Sequence, residues 1–122
     1  LSPAGHLEMK DWDKSVSINL RATGFLIGMI EPLLLAADKG TALFLNDPRA
    51  GLPFFGAYGA TKAAQIALAQ SWVAETVKVG PRVMIETPAP MPTATRARFF
   101  PGEDRTKLAD PRAEATRIAA LI

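Results

Sequence analysis

Apolar side chains recur at helical spacing in the first third of the chain. Trp12, Val16, Leu20, Ile27 and Ile30 follow that period and predict a long helix from about Lys10 to Asp38. Pro32 lies inside it, removes one backbone donor and is expected to kink it. Asp38-Lys39-Gly40 reads as a stop, with glycine free to take a left-handed cap. The apolar run Thr41 to Leu45 is bounded by Gly40 and by Asn46-Asp47-Pro48. Its length and flanks predict a strand covered on both faces.

After a Gly/Pro-containing loop through Pro53, a second helix is predicted from Gly56 to Val79, closed by Gly80-Pro81. Its small residues, among them Ala57, Gly59, Ala60 and Ala63, let another backbone come close. Arg82 to Glu86 is a second strand candidate, Thr87 to Pro92 a proline-rich loop, and Thr93 to Phe99 a short helix. Asp110-Pro111 opens a last helix, with Asp as cap and Pro at the first position. Helix, strand, helix, strand, helix predicts an α/β fold with a parallel sheet. Two strands are too few to cover these helices, because parallel sheets are normally buried on both sides. The chain is therefore expected to be part of a larger sheet.

At 122 residues, 48% apolar and 21% charged, the sequence is globular material for one domain. Net charge is +2, and the charges of the last quarter interleave in sign. That pattern marks a solvated face, and nucleic acid is not an expected partner. There is no cysteine, which excludes disulfides and thiolate chemistry and is compatible with the cytoplasm. The chain starts at Leu1, and nothing there resembles a signal peptide. The longest apolar run, Gly24 to Ala37, is interrupted by Glu31 and Pro32. It is too short to span a bilayer and reads as a buried helix; no membrane association is expected.

Tyr58 and Lys62 carry the most chemistry. Four residues apart on a helix, a phenol and an ammonium share one face. A nearby cation lowers a tyrosine pKa, and a tyrosine so tuned can exchange a proton near neutral pH. The same spacing also fits the edge of an ordinary amphipathic helix. Trp12 and Trp72 read as packing residues and His6 as a surface residue. Phe99 and Phe100 fit either a lid over a substrate or ordinary packing.

Four landmarks in order resemble the C-terminal half of a short-chain dehydrogenase/reductase. Trp12 to Leu20 is similar to that family's W-x-x-x-x-x-V-N-L helix. Thr41 to Leu45 resembles the strand leading to its active site, and Tyr58 to Lys62 its Y-x-x-x-K. Arg82 to Pro88 with Pro92 to Arg96 resembles its R-V-N-x-I-x-P-G…T segment. Thr93 to Pro101 with Glu103-Asp104 is most similar to a YciK-like branch.

The resemblance implies the C-terminal portion of a Rossmann-type doubly wound parallel sheet, a partial NAD(P)-binding domain over residues 1–122. The phosphate-binding half would be missing, and no G-x-G-x-x-G turn occurs here. It implies an oxidoreductase that interconverts an alcohol and a ketone or aldehyde with NAD or NADP. Tyr58 would be the general acid/base, and Lys62 would lower its pKa and bind the nicotinamide ribose. Asn19 would hold a water in a proton relay. Thr93 would contact the carboxamide, and Pro88 would shape that loop. The two long helices would build a homo-oligomer.

Two departures stand out. The family's Ser before Y-x-x-x-K is missing, for no Ser or Thr lies between Ala42 and Ala60. Asn46 has an amide that can donate in its place, whereas an ionised Asp47 only accepts. The family's P-G is Pro88-Ala89, and Met84 stands where it has Asn. These departures keep a second reading open, a catalytically degenerate or truncated relative that serves in dimer association.

Overall fold

A computed structural model describes residues 2–122. Helix α1 runs from Met9 to Ala36 and is π-helical over Val16–Arg21. The Ala22 amide reaches back five residues to the Ser17 carbonyl. Strand β1 is Thr41–Leu45, α2 is Gly56–Glu75 and β2 is Arg82–Glu86. Two shorter helices follow, α3 (Ala94–Phe99) and α4 (Pro111–Ala119). Short 3-10 turns lie at Ala4–His6 and Arg105–Lys107.

The strands pair in parallel, Thr41 opposite Arg82 through Leu45 opposite Glu86. Parallel neighbours need a crossover connection, and α2 provides it. The α/β architecture with a parallel sheet is as the residue pattern predicts. Near the N-terminus Ser2 bridges to Phe55, its amide donating to the Phe54 carbonyl at 3.0 Å.

The core lies between α2 and the sheet. Ala42, Phe55, Ala57, Ile66, Ala69 and Trp72 are its buried apolar residues. Trp72 meets Phe44 edge to face with ring centres 6.1 Å apart. Its indole N–H donates to Glu31 Oε1 at 2.9 Å, tying α2 to α1. Thr61 is buried and donates to the Ala57 carbonyl at 2.8 Å.

Helix α1 continues through Pro32, and its irregular turn falls at Val16–Arg21. Three expectations need correction. Gly40 is not left-handed, since only Gly51 and Gly80 among the described glycines have positive φ. A side chain at Gly40 would strike the Leu34 carbonyl oxygen, so glycine is needed there for close approach. Helix α2 stops at Glu75, short of Val79. Finally, α1 is not buried. Phe25 is 67% exposed, Met29 70% and Leu33 71%, because nothing among the described residues packs on that face. By length and apolar content alone, this 28-residue helix also suffices to cross a bilayer, unlike the shorter run first considered. Its polar positions Asn19 and Glu31 nevertheless hydrogen-bond to α2.

Candidate active site

The carboxyl ends of both strands open into a cleft of about 440 Å³. In open α/β sheets this is where ligands bind. Its wall from β1 is the loop Leu45–Arg49, and its wall from β2 is Thr87–Met91 with Thr93. Helix α2 contributes Tyr58 and Lys62, and α3 contributes Arg96 and Phe99.

Tyr58 and Lys62 thus reach one cleft, one helical turn apart, yet no hydrogen bond joins them. The Tyr58 hydroxyl donates to Asp47 Oδ2 at 2.9 Å. Arg49 clamps the same carboxylate, Nε to Oδ1 at 2.6 Å and a terminal nitrogen to Oδ2 at 2.8 Å. The tyrosine ring packs on Phe99, 5.4 Å between centres, and on Phe55 at 6.3 Å. Burial and then the Asp47 carboxylate push the phenol pKa up to about 12. This corrects the lowering expected from Lys62: the charge that meets the hydroxyl is negative. Burial opposes the charge on Asp47, but bonds from Arg49 and Tyr58 outweigh it and hold that carboxyl below its ordinary value.

Lys62 Nζ donates to the Leu45 carbonyl at 2.8 Å and to Gln65 Oε1 at 2.6 Å. Burial lowers its pKa, with Asp47 acting in the opposite sense. Two acceptors leave one ammonium hydrogen without a partner among the described residues. From Lys62 a chain of bonds runs through Gln65 Nε2 to Thr23 Oγ1 (2.8 Å) and on to the Asn19 carbonyl (2.8 Å).

Asn19 itself does not line the cleft. Its amide donates to Thr61 Oγ1 at 2.9 Å, and among the described residues its bonded path to Lys62 runs through Thr23 and Gln65. Asn46 lines the cleft, but its amide donates to Thr87 Oγ1 at 3.2 Å and not to the region of Tyr58. Pro88 and Thr93 both line it. Thr93 is also the cap of α3, its hydroxyl accepting from the Arg96 amide at 3.1 Å. Phe99 forms part of the wall, while Phe100 lies under the guanidinium groups of Arg49 (5.4 Å) and Arg96 (4.8 Å).

Sequence reasoning missed Gln65 and Glu114. The i, i+3 spacing of Lys62 and Gln65 was a usable signal. Glu114 on α4 is 6% exposed and accepts the Ala89 amide at 2.8 Å, which fixes the cleft loop after β2. Arg117 donates to both of its oxygens and to Glu86. Arg117 and the Ala89 amide hold the Glu114 pKa down to about 2. A depressed carboxylate stabilises the fold above its unfolded pKa and loses that contribution as pH falls through its folded value. The Glu114 contribution is therefore present above about pH 4.5 and lost towards pH 2. Urea midpoints of the wild type are expected to fall across that window. In Glu114→Gln the fall should be shallower, and an unchanged slope would contradict this role.

A profile of the short chain dehydrogenase family matches residues 1–104. The chain is 35% identical over 102 residues to an uncharacterized oxidoreductase, YciK, of Escherichia coli K12, covering 82% of this chain and 40% of that protein. A short chain dehydrogenase from Shigella flexneri 2a, solved in complex with NADP, superposes with a TM-score of 0.81 at 34% identity. The match covers 90% of this chain and 46% of that one. Another, from Escherichia coli CFT073 in complex with NADPH, gives 0.83 at 32% identity, covering 92% and 47%. The chain thus spans less than half the length of each. On its sequence and its fold alike, it belongs to the short-chain dehydrogenase/reductase family.

Proposed function

We propose that this chain carries the proton-handling half of a nicotinamide-dependent oxidoreductase that interconverts an alcohol and a ketone or aldehyde. One observation carries the reading: Tyr58 and Lys62 meet in a cleft at the carboxyl ends of two parallel strands. Relatives solved with NADP and NADPH support NAD or NADP as the cofactor. The residues suit the nicotinamide end of such a molecule. The remaining ammonium hydrogen of Lys62 would bind a ribose hydroxyl, and Pro88 and Thr93 would hold the ring amide. A nicotinamide held there by Lys62, Pro88 and Thr93 would supply hydride chemistry at the substrate carbon.

The rest falls to the protein. Tyr58, neutral at pH 7, gives its proton to the substrate oxygen in reduction and takes it back in oxidation. Lys62 supplies positive charge one turn away, and the bonded path through Gln65 and Thr23 holds it there. Phe55 and Phe99 wall the cleft with apolar surface beside the reacting oxygen. Residues 1–122 would form part of one Rossmann-like domain in the cytoplasm.

A second reading has its own observation. Asp47 offers an acceptor to Tyr58 where a donor to the substrate is needed, and α1 exposes Phe25, Met29 and Leu33. These favour a catalytically degenerate member whose long helices associate with a second copy. One experiment separates the two. The natural protein bearing this chain is assayed at 340 nm with NADH or NADPH against a panel of aldehydes and ketones, beside Lys62→Met. Carbonyl-dependent oxidation of cofactor, with at least a tenfold weaker cofactor interaction in the variant, supports the enzyme. A folded, self-associated protein that binds neither cofactor supports the second reading.

A further inference from the structure

We propose that Asp47, clamped by Arg49, is a brake on Tyr58: it accepts the phenol's hydrogen bond and keeps the proton on the ring oxygen. The inference builds on the proposed role of Tyr58 as proton donor and adds one positioning residue, Asp47, that restrains it. The geometry is specific. Asp47 Oδ1 accepts from the Arg49 amide (3.2 Å) and Nε, and Oδ2 accepts from an Arg49 terminal nitrogen and from Tyr58. The Asp47 side chain is 10% exposed, so its charge is held in a largely dry site. Arg49 is in turn set against the rings of Phe55 and Phe100.

When Tyr58 protonates a substrate oxygen, its O–H bond breaks and a new O–H bond forms on the substrate. The phenolate left behind faces a carboxylate, and like charges at that distance oppose each other. The charged groups around the ring are Asp47 and Arg49 from the loop after β1, Lys62 from α2 and Arg96 from α3. Among the described residues Asp47 alone bonds the hydroxyl, and Arg96 is engaged by Glu103 at 2.6 Å. Handing the proton to Asp47 is uphill, because Asp47 is held below and Tyr58 above the ordinary value. The contact therefore restrains the proton and does not relay it.

Tyr58 is the single tyrosine of residues 1–122. The natural protein bearing this chain is jumped to pH 11 and read at 295 nm before alkaline unfolding, each form against its own Tyr58→Phe counterpart, so that the difference is the Tyr58 tyrosinate. About a tenth of wild-type Tyr58 should be ionised there, as a pKa of about 12 requires. Asp47→Asn, or Asp47→Ser if circular dichroism shows the first variant unfolded, should raise that fraction at least threefold. Arg49→Met removes the clamp but keeps the carboxylate, and should not raise it. More than half ionised in the wild type overturns the proposal. So does an unchanged fraction without Asp47, or an equal rise in both variants, which marks general loosening. No turnover is read, so this test fails or holds independently of the cofactor assay.

Discussion

Tyr58→Phe is expected to lower kcat by about 10²- to 10⁴-fold, the range for loss of a general acid or base. The substitution deletes one oxygen and leaves the ring. Packing on Phe99 and Phe55 is retained, and Arg49 still holds Asp47 through two side-chain bonds. The protein should therefore fold as before. The cofactor should also bind as before, since Lys62 keeps both of its bonds to the protein. Steady-state kinetics on the natural protein checks this. A fall confined to kcat, with KM for the cofactor within about threefold, is the signature of a group acting on the reacting oxygen. A variant with wild-type kcat would remove Tyr58 from the chemistry.

Trp72→Ala is expected to cost about 3–5 kcal/mol of folding stability, as for other buried aromatic truncations. Trp72 is 3% exposed and belongs to a core with few other large side chains. Its loss removes the contact with Phe44 and leaves Glu31 without its indole donor. Ordinary domains hold about 5–15 kcal/mol in all, so a large share would vanish in one step. Trp72→Phe keeps a smaller ring against Phe44 and gives up the N–H bond to a carboxylate, for which about 1.5–3 kcal/mol is expected. Urea unfolding of the two variants separates packing from the hydrogen bond. Equal losses would mean that the ring contributes little.

The fold was largely legible because its signals are local. Thr41–Leu45 and Arg82–Glu86 are short apolar runs between breakers, and both strands have those bounds. Asp110 and Thr93 cap their helices through bonds to amides two or three residues away. The site was legible as far as one helix reaches: Tyr58 and Lys62 do share a cleft. The electrostatics were not legible. Spacing shows the cation four residues on, whereas the anion that meets the phenol comes from a loop eleven residues back. Glu114 was hidden for the same reason, since its partner is a backbone amide twenty-five residues upstream. The exposed face of α1 misled in another way. Apolar periodicity shows which side wants cover, not whether this chain supplies it.

The polar contacts between the two long helices have a mechanical meaning. Asn19 meets Thr61, Thr23 meets Gln65 and Glu31 meets Trp72, so the partners climb both rods in the same order. Sliding one rod past the other by a turn would sever every rung at once. The pair therefore shifts as a single slab, and the height of the Lys62 ammonium above the sheet is indexed to a helix that never touches the cleft.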